Sequence, residues 1–280
     1  MGVGLVQLLT DPRHPDRSRS ASLEGATEAF ERGANIVVLP ELCVPGYTTD
    51  PELLEAGTET VDGPTVRDWA RLAHEHDGFI CGGFAERDGS QRYNSAVVVG
   101  GDGVLLHYRK LHLFEDENGV FVPGDRGLSV LALPWGTVGV CICYDLRFVE
   151  VLRILSLQGA DLVCVPTAWL PGFDRDAWDE RGMAPQAHVA AVQANLDQVF
   201  VACASQAGTM GNRTFLGSSI VASPRGAILE GPLPTAEGRV TVTRVDLEEV
   251  HRAQRRGEQI APREDRRRDV YGLVVEGDEL

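Results

Sequence analysis

The sequence predicts an α/β (α+β) protein made of sheets that each carry helices on one face. Two observations predict it. Strand-like runs outnumber helical ones. Helices separate groups of strands and do not alternate with them one for one, which excludes an uninterrupted Rossmann pattern. Across the 280 residues there is no repeat of fixed period, no low-complexity linker and no shift in composition. A single domain over 1–280 is therefore expected, with an ordinary apolar fraction of 43% to fill its core.

The elements follow in order. Residues 3–8 form a first strand. Residues 21–32 carry apolar side chains at helical spacing up to Gly33, a helix stop. Residues 35–39 are a buried strand ending at Pro40 and Glu41. Pro64 opens a second helix, 64–76. A strand at 79–84 precedes a hairpin of 93–100 with 104–108. The long loop 109–127 comes next, and loops of that length in compact domains usually carry function. Strands at 128–133 and 137–142 flank a turn at Pro134, Trp135 and Gly136. The second leads into Cys143 and a helix from Val149. After a strand at 161–166, a Trp-containing loop, 167–178, leads to an Ala-rich helix ending near Asp197. Strands at 199–204, 218–222, 227–230 and 239–245, a short helix at 247–254 and a charged tail complete the chain.

The formal net charge of −15 argues against nucleic acid or anionic membrane as a partner, since a polyanion binder is basic. The one basic cluster, 263–268, is interrupted by Glu264 and Asp265 and is read as a salt-bridged tail. No apolar run is long enough to span a membrane, and the first residues lack a basic leader, so a cytoplasmic location is expected. The six cysteines, Cys43, Cys81, Cys141, Cys143, Cys164 and Cys203, are expected as thiols. There is no Cys-x-x-Cys pair, and the seven histidines show no metal spacing. Neither a metal nor another cofactor is expected.

Chemistry gathers at three strand ends, as sites in α/β folds do. Cys143 stands where the apolar run 138–142 hands over to a helical pattern. Backbone N–H groups at such a junction lower a thiol pKa and bind a developing oxyanion. Glu41 follows the strand Ile36-Val-Val-Leu, and Lys110 follows Val104-Leu-Leu-His-Tyr-Arg. A thiol needs a base to take its proton, and a desolvated glutamate has the raised pKa to do so near neutral pH. A lysine beside it, with the Tyr144 backbone N–H, supplies positive charge where an oxyanion develops. The set suits attack on a carbon bonded to nitrogen: an amide, a ureido group or a nitrile. Singly, Cys143 reads as a core thiol and Glu41 and Lys110 as solvated charges; the constellation overrules that. Cys141, inside the apolar run, is taken as core. Tyr47, Tyr144, Phe148 and Trp169, with Trp178, are candidates to line a substrate pocket. Asp145 and Arg147 are expected to form a structural ion pair, and His112 to support the site from behind.

Three segments carry a resemblance: Leu39-Pro-Glu-Leu with Gly46-Tyr47, then Tyr108-Arg-Lys-Leu-His-Leu-Phe, then Cys143-Tyr-Asp-Leu-Arg-Phe. Lesser matches include Tyr93-Asn-Ser-Ala, Phe121-Val-Pro-Gly-Asp, Phe215-Leu-Gly-Ser-Ser and Arg267-Arg-Asp-Val-Tyr. Together they run nearly the whole chain in order. The sequence resembles the nitrilase superfamily of carbon–nitrogen hydrolases, in its amidase and N-carbamoyl amidohydrolase branch.

The resemblance implies a four-layer α-β-β-α sandwich that dimerises through its helices, with the tail 263–280 crossing onto a partner subunit. It implies Glu41 as general base, Lys110 as oxyanion stabiliser and Cys143 as nucleophile. A second glutamate is expected four residues before Phe121, at Glu117, to orient the lysine or the substrate amine; Glu115 is the neighbouring alternative. No cofactor is implied. The expected activity is hydrolysis of a small amide or N-carbamoyl compound through a thioester. The alternatives are nitrile hydrolysis, acyl transfer by the same residues, and a binding or regulatory protein that keeps the fold. Tyr144-Asp145 after the cysteine favours amides, because true nitrilases place Trp-Glu there. Glu41, Glu117, Asp174, Asp176 and Asp179 suggest a cationic, amine-bearing substrate.

Overall fold

The computed structural model describes residues 1–172, 180, 182–275 and 278–279. Period-two patterning sorts the first half of the chain into two faces. β1 (Gly2–Gln7) sends Val3 and Leu5 to one face and Val6 to the other, and both are buried. β2 (Ile36–Val38) repeats this, with Ile36 and Val38 on the first face and Val37 on the second. β3 (Phe79–Asp88), β4 (Gln91–Gly100) and β5 (Gly103–Arg109) extend the sheet. Its outer face is covered by α1 (Pro15–Glu31), through Ala26, Ala29 and Phe30. A short α2 (Pro51–Gly57) precedes α3 (Pro64–Glu75), which adds Val66, Trp69 and Leu72 to the same cover.

The second half builds another sheet. β6 (Val130–Leu133), β7 (Gly136–Val140), β8 (Leu162–Thr167) and β9 (Phe200–Ser205) supply most of it. α4 (Val149–Leu157) joins β7 to β8, and α5 (Pro185–Asp197) joins β8 to β9. The hairpin of β10 (Ala207–Met210) and β11 (Arg213–Leu216) stands apart. β12 (Ile220–Ala222) and β13 (Ile228–Glu230) finish this sheet. β14 (Arg239–Arg244) returns to the first, and α6 (Glu248–Gln254) follows.

The sheet orders are β14-β1-β2-β3-β4-β5 and β13-β12-β9-β8-β7-β6. Each has three parallel strands, β1, β2 and β3 or β7, β8 and β9, flanked by antiparallel ones. The sheets face each other. Val3, Leu5, Ile36, Val38, Ala96 and Val98 of one meet Val138, Val140, Leu162, Cys164 and Ala202 of the other in one apolar core. α4 and α5 pack on the second sheet through Val151, Leu155, Ala187 and Ala194. The protein is thus two mixed sheets between helices, four layers in all. Burial on both faces explains the near-continuous apolar runs of the parallel strands.

Several boundaries differ from the sequence expectation. α1 starts at Pro15, not at 21. Its first turn hides behind Asp16, Arg17 and Arg19, and it buries Ser18 and Ser22 where apolar residues would have signalled a helix. Ser22 is used: its Oγ accepts from Trp69 Nε1 at 2.9 Å. The unanticipated α2 is capped by Asp50, whose carboxylate accepts from the Glu52 and Leu53 N–H groups. β7 ends at Val140, two residues early. The basic cluster is only partly a salt-bridged tail. Arg267 pairs with Asp269 at 2.7 Å. Arg263 instead joins Arg153 and Arg256 in donating to the last carbonyls of α5, at Leu196, Asn195 and Asp197, where the helix dipole favours cations. Among the described residues, no helix is long and apolar enough to cross a membrane.

Gly83 in β3 shows how closely the sheet approaches the segment bearing Glu41. A Cβ there would lie 2.5 Å from the Pro40 carbonyl oxygen and 2.8 Å from the Glu41 Cα, both backbone atoms. Gly83→Ala is therefore expected to cost roughly 1–3 kcal/mol and to lower Tm by several degrees. A Tm equal to the parent's would contradict that close approach.

Candidate active site

The three strand ends converge on one end of the sandwich. Glu41 lies just past β2 of the first sheet, and residues at the ends of β8 and β9 in the second hold its backbone. Its N–H donates to the Thr167 carbonyl at 3.3 Å, and its carbonyl accepts from Gln206 Nε2 at 2.9 Å. Lys110 lies just past β5, with its N–H on the Asn94 carbonyl and its own carbonyl accepting from Gly124, both at 2.8 Å. Cys143 opens a 3₁₀ turn, Cys143–Arg147, with φ at +46°. A non-glycine residue there carries strain that its surroundings must hold in place.

Lys110 Nζ is the hub. It donates to Glu41 Oε1 at 2.6 Å and to the two carboxylate oxygens of Glu117 at 2.9 and 2.8 Å. All three side chains are sealed from solvent. Asn94 Nδ2 donates to Glu41 Oε1 at 2.8 Å and reaches Glu117 Oε1 at 3.4 Å. The Tyr47 hydroxyl and the Phe114 N–H donate to Glu117 at 2.8 and 3.0 Å. Glu117 rides on a short 3₁₀ turn, Glu115–Gly119, that buries it and exposes Glu115. The structure therefore brings Glu117 to the lysine, and not Glu115. Glu41 Oε2 is buried with no hydrogen-bond partner.

The charges fix the resting protonation. Burial pushes the Lys110 pKa down, but the Glu117 and Glu41 charges more than offset it and hold the ammonium. Burial raises Glu41, with Lys110 opposing and the Glu117 charge assisting. Burial and the Glu41 charge raise the Cys143 thiol well above its ordinary value, against Lys110 and the Ala168 N–H. The sequence suggested a lowered thiol pKa at this junction, and burial, with the Glu41 charge, reverses the direction. Cys143 rests as a thiol whose proton leaves only when a base takes it. It is partly exposed, while the other five cysteines are buried.

A pocket opens over Cys143 and Lys110, lined by Tyr47, Tyr144 and Trp169 with Phe114, Arg147, Leu170, Gln186 and Val189. Tyr144 and Arg147 share that wall because a 3₁₀ turn has three residues per turn, so positions i and i+3 eclipse. Phe148, expected in the pocket, falls outside that face. It stacks on His112 with ring centroids 3.5 Å apart and meets Tyr144 edge-on at 5.4 Å. The expected Asp145–Arg147 pair does not form: Asp145 is engaged by Tyr108, His112 and the Ile142 N–H. Glu41 and Glu117 share one ammonium and so do not present an acidic wall to an amine. Trp178, Asp174, Asp176 and Asp179 lie outside the described residues. Asn94, Phe114, Gln186 and Gln206 were not anticipated. Two of them left a signal, since Asn94 lies in the matching segment Tyr93-Asn-Ser-Ala and Phe114 closes Tyr108-Arg-Lys-Leu-His-Leu-Phe. Among the described residues, no group of three or more His, Cys, Asp or Glu could hold a metal ion.

The sequence pattern of the carbon–nitrogen hydrolase family matches residues 3–255. The chain belongs to that family. A nitrilase from Pyrococcus abyssi is 36% identical over 247 residues, 88% of this chain and 89% of that protein. An omega-amidase from Xenopus tropicalis is 32% identical over 286 residues, 97% of this chain and 96% of its own. A citrullinase from Francisella tularensis is 32% identical over 71% of this chain and 73% of its own. In fold, the NitN amidase from Nesterenkonia sp. AN1 superposes with a TM-score of 0.77 at 24% identity, covering 96% of this chain and 98% of that one.

In this carbon–nitrogen hydrolase a second ion cluster backs the lysine. Arg109 donates to Glu86 at 2.5 and 3.0 Å, to Asp88 and to Asp125, and lies 3.7 Å over the Tyr93 ring. Burial tends to raise Glu86, but hydrogen bonds from His107, Arg109 and Ser95 prevail and hold it at about 2. A carboxyl depressed from 4.5 stabilises the fold fully above that value and loses its contribution as pH falls towards 2. Tm measured from pH 5 to pH 2.5 should therefore fall, and Glu86→Gln should flatten the slope; an equal slope in both would count against the cluster. Lys110→Met leaves two buried carboxylates without their cation and should cost roughly 3–5 kcal/mol at neutral pH. Adding Glu41→Gln and Glu117→Gln should recover much of that loss in urea titrations.

Proposed function

We propose that this hydrolase cleaves small linear amides, with N-carbamoyl compounds as close alternatives, through a thioester on Cys143. One observation carries the reading. A fully buried ammonium occupies Glu41 Oε1, leaves Glu41 Oε2 without a partner, and does so beneath a pocket whose floor includes a partly exposed thiol.

The chemistry follows from that arrangement. Glu41 takes the Cys143 proton as Sγ adds to the carbonyl carbon. The oxyanion gathers positive charge from Lys110 Nζ and the Tyr144 backbone N–H. The protonated Glu41 then gives its proton to the departing nitrogen, the C–N bond breaks, and ammonia or an amine leaves the thioester behind. Glu41 next deprotonates a water, which attacks the thioester. Collapse releases the acid, and the proton held by Glu41 returns to Cys143. Glu117 acts through Lys110, anchoring its ammonium with help from Tyr47 and Asn94. Tyr47, Phe114, Tyr144, Trp169, Leu170 and Val189 make the lining mostly apolar and aromatic, which suits a short acyl group with a hydrocarbon body. The relative named omega-amidase supports an amide; the relative named nitrilase makes nitrile hydrolysis the second reading.

Intact mass spectrometry during turnover of a short aliphatic amide should reveal an acyl adduct that accumulates in the parent and is absent from Cys143→Ala. Ammonia release should fall by at least about 10³-fold in that variant. Undiminished turnover would overturn the reading. A matched amide and nitrile assayed side by side separate the two readings, and added hydroxylamine reports acyl transfer.

A further inference from the structure

We propose that Asp145 is a positioning residue that fixes the nucleophile against the lysine across the gap between the two sheets. The inference rests on Cys143 and Lys110 acting as proposed above. Asp145 lies two residues after Cys143 and is fully buried. Its Oδ2 accepts from the Ile142 N–H at 2.9 Å, immediately before the nucleophile, and from the Tyr108 hydroxyl at 2.7 Å, two residues before Lys110. Its Oδ1 accepts from the His112 N–H at 3.1 Å and faces His112 Nδ1 at 2.8 Å, two residues after Lys110. Facing a carboxylate, Nδ1 carries the proton. The Tyr108 hydroxyl also accepts from the Leu111 N–H at 3.4 Å. One carboxylate, two residues past the cysteine, thus grips the chain on both sides of the lysine and the residue just before the cysteine.

A local cap would not need this reach. An aspartate at the third position of a 3₁₀ turn satisfies the Ile142 N–H with one oxygen and leaves the rest to water. Here the other three bonds go to Tyr108 in β5 and to His112 in the loop that follows it, and β5 belongs to the opposite sheet. Strain at Cys143 gives the clamp something to hold, because φ of +46° persists only where the surroundings over-determine it. The stack of His112 on Phe148 ties the same loop to the start of α4. Tyr108 is kept a neutral donor by burial and by the adjacent Asp145 charge.

Asparagine at 145 has one acceptor oxygen and turns an NH₂ towards two of the four partners, so it loses the bond from the His112 N–H and keeps the one to Nδ1 only if His112 changes tautomer. Asp145→Asn is expected to lower kcat on the order of 10²-fold with KM changed by less than about 3-fold, since misplacement by about 1 Å costs that much. Tyr108→Phe should lower kcat by about 10-fold at a Tm close to the parent's. The double variant should be little worse than Asp145→Asn alone, because the two side chains share one contact. Tyr108→Phe that folds and keeps kcat within about 2-fold of the parent overturns the clamp, as do losses that multiply in the double variant. If Asp145→Asn does not fold, the Tyr108→Phe result decides alone. Cys143→Ala runs alongside: an active Cys143→Ala sinks the catalytic reading itself, whereas an inactive one with Tyr108→Phe and Asp145→Asn at parental kcat sinks only the clamp.

Discussion

The ammonium of Lys110, buried between the carboxylates of Glu41 and Glu117, is the interaction on which the rest of this structure depends. An isolated charge in that setting would shift its pKa and neutralise. The charges of Glu117 and Glu41 hold Lys110 as an ammonium against burial, and Lys110 in turn opposes the rise that burial and the Glu117 charge impose on Glu41. Burial and the Glu41 charge raise the pKa of the adjacent Cys143 thiol. In the proposed mechanism the thiol keeps its proton until Glu41, itself raised by burial, removes it. The same geometry sets resting state and reactivity.

Such a cluster demands a scaffold that does not yield, and the four layers supply it. Lys110 and Glu41 end strands of one sheet, and Cys143 follows a strand of the other. Their separation is therefore a distance between sheets, fixed by the dry core of Val3, Leu5, Ile36 and Val38 against Val138, Val140 and Leu162. At the open end of the sandwich that core stops, and polar ties take over. Gln206 and Thr167 hold the Glu41 backbone, and Asp145 joins the cysteine turn to the lysine loop. Gly83 lets β3 pass under Glu41 with no side chain between them.

Much of this was legible in the chain. Continuous β-branched runs announced strands buried on both faces, and the reactive side chain past each of three runs marked the site before any contact was known. Less regular features left weaker traces. The first turn of α1 is charged outside and buries serines within, so apolar periodicity missed it. Phe148 looked like a pocket residue because it is aromatic and near the cysteine. The phase of a 3₁₀ turn turned Arg147 to the pocket in its place and sent Phe148 back against His112. Asp145 and Arg147 looked like a pair because they are close in sequence and opposite in charge, yet Asp145 found three partners, two of them more than thirty residues away.

The sequence by itself determined most of the strands and the longer helices, the family, and Glu41, Lys110 and Cys143 as candidates, because those rest on local pattern and on motifs with few alternatives. Tertiary structure alone decided which of Glu115 and Glu117 is buried against the lysine, that Asn94 joins the carboxylates, that one oxygen of Glu41 is left without a partner, and that the thiol pKa is raised where its backbone position suggested the opposite. Each of these is a balance of desolvation against charges brought together from distant segments. Such a balance has no value until the chain has folded around it.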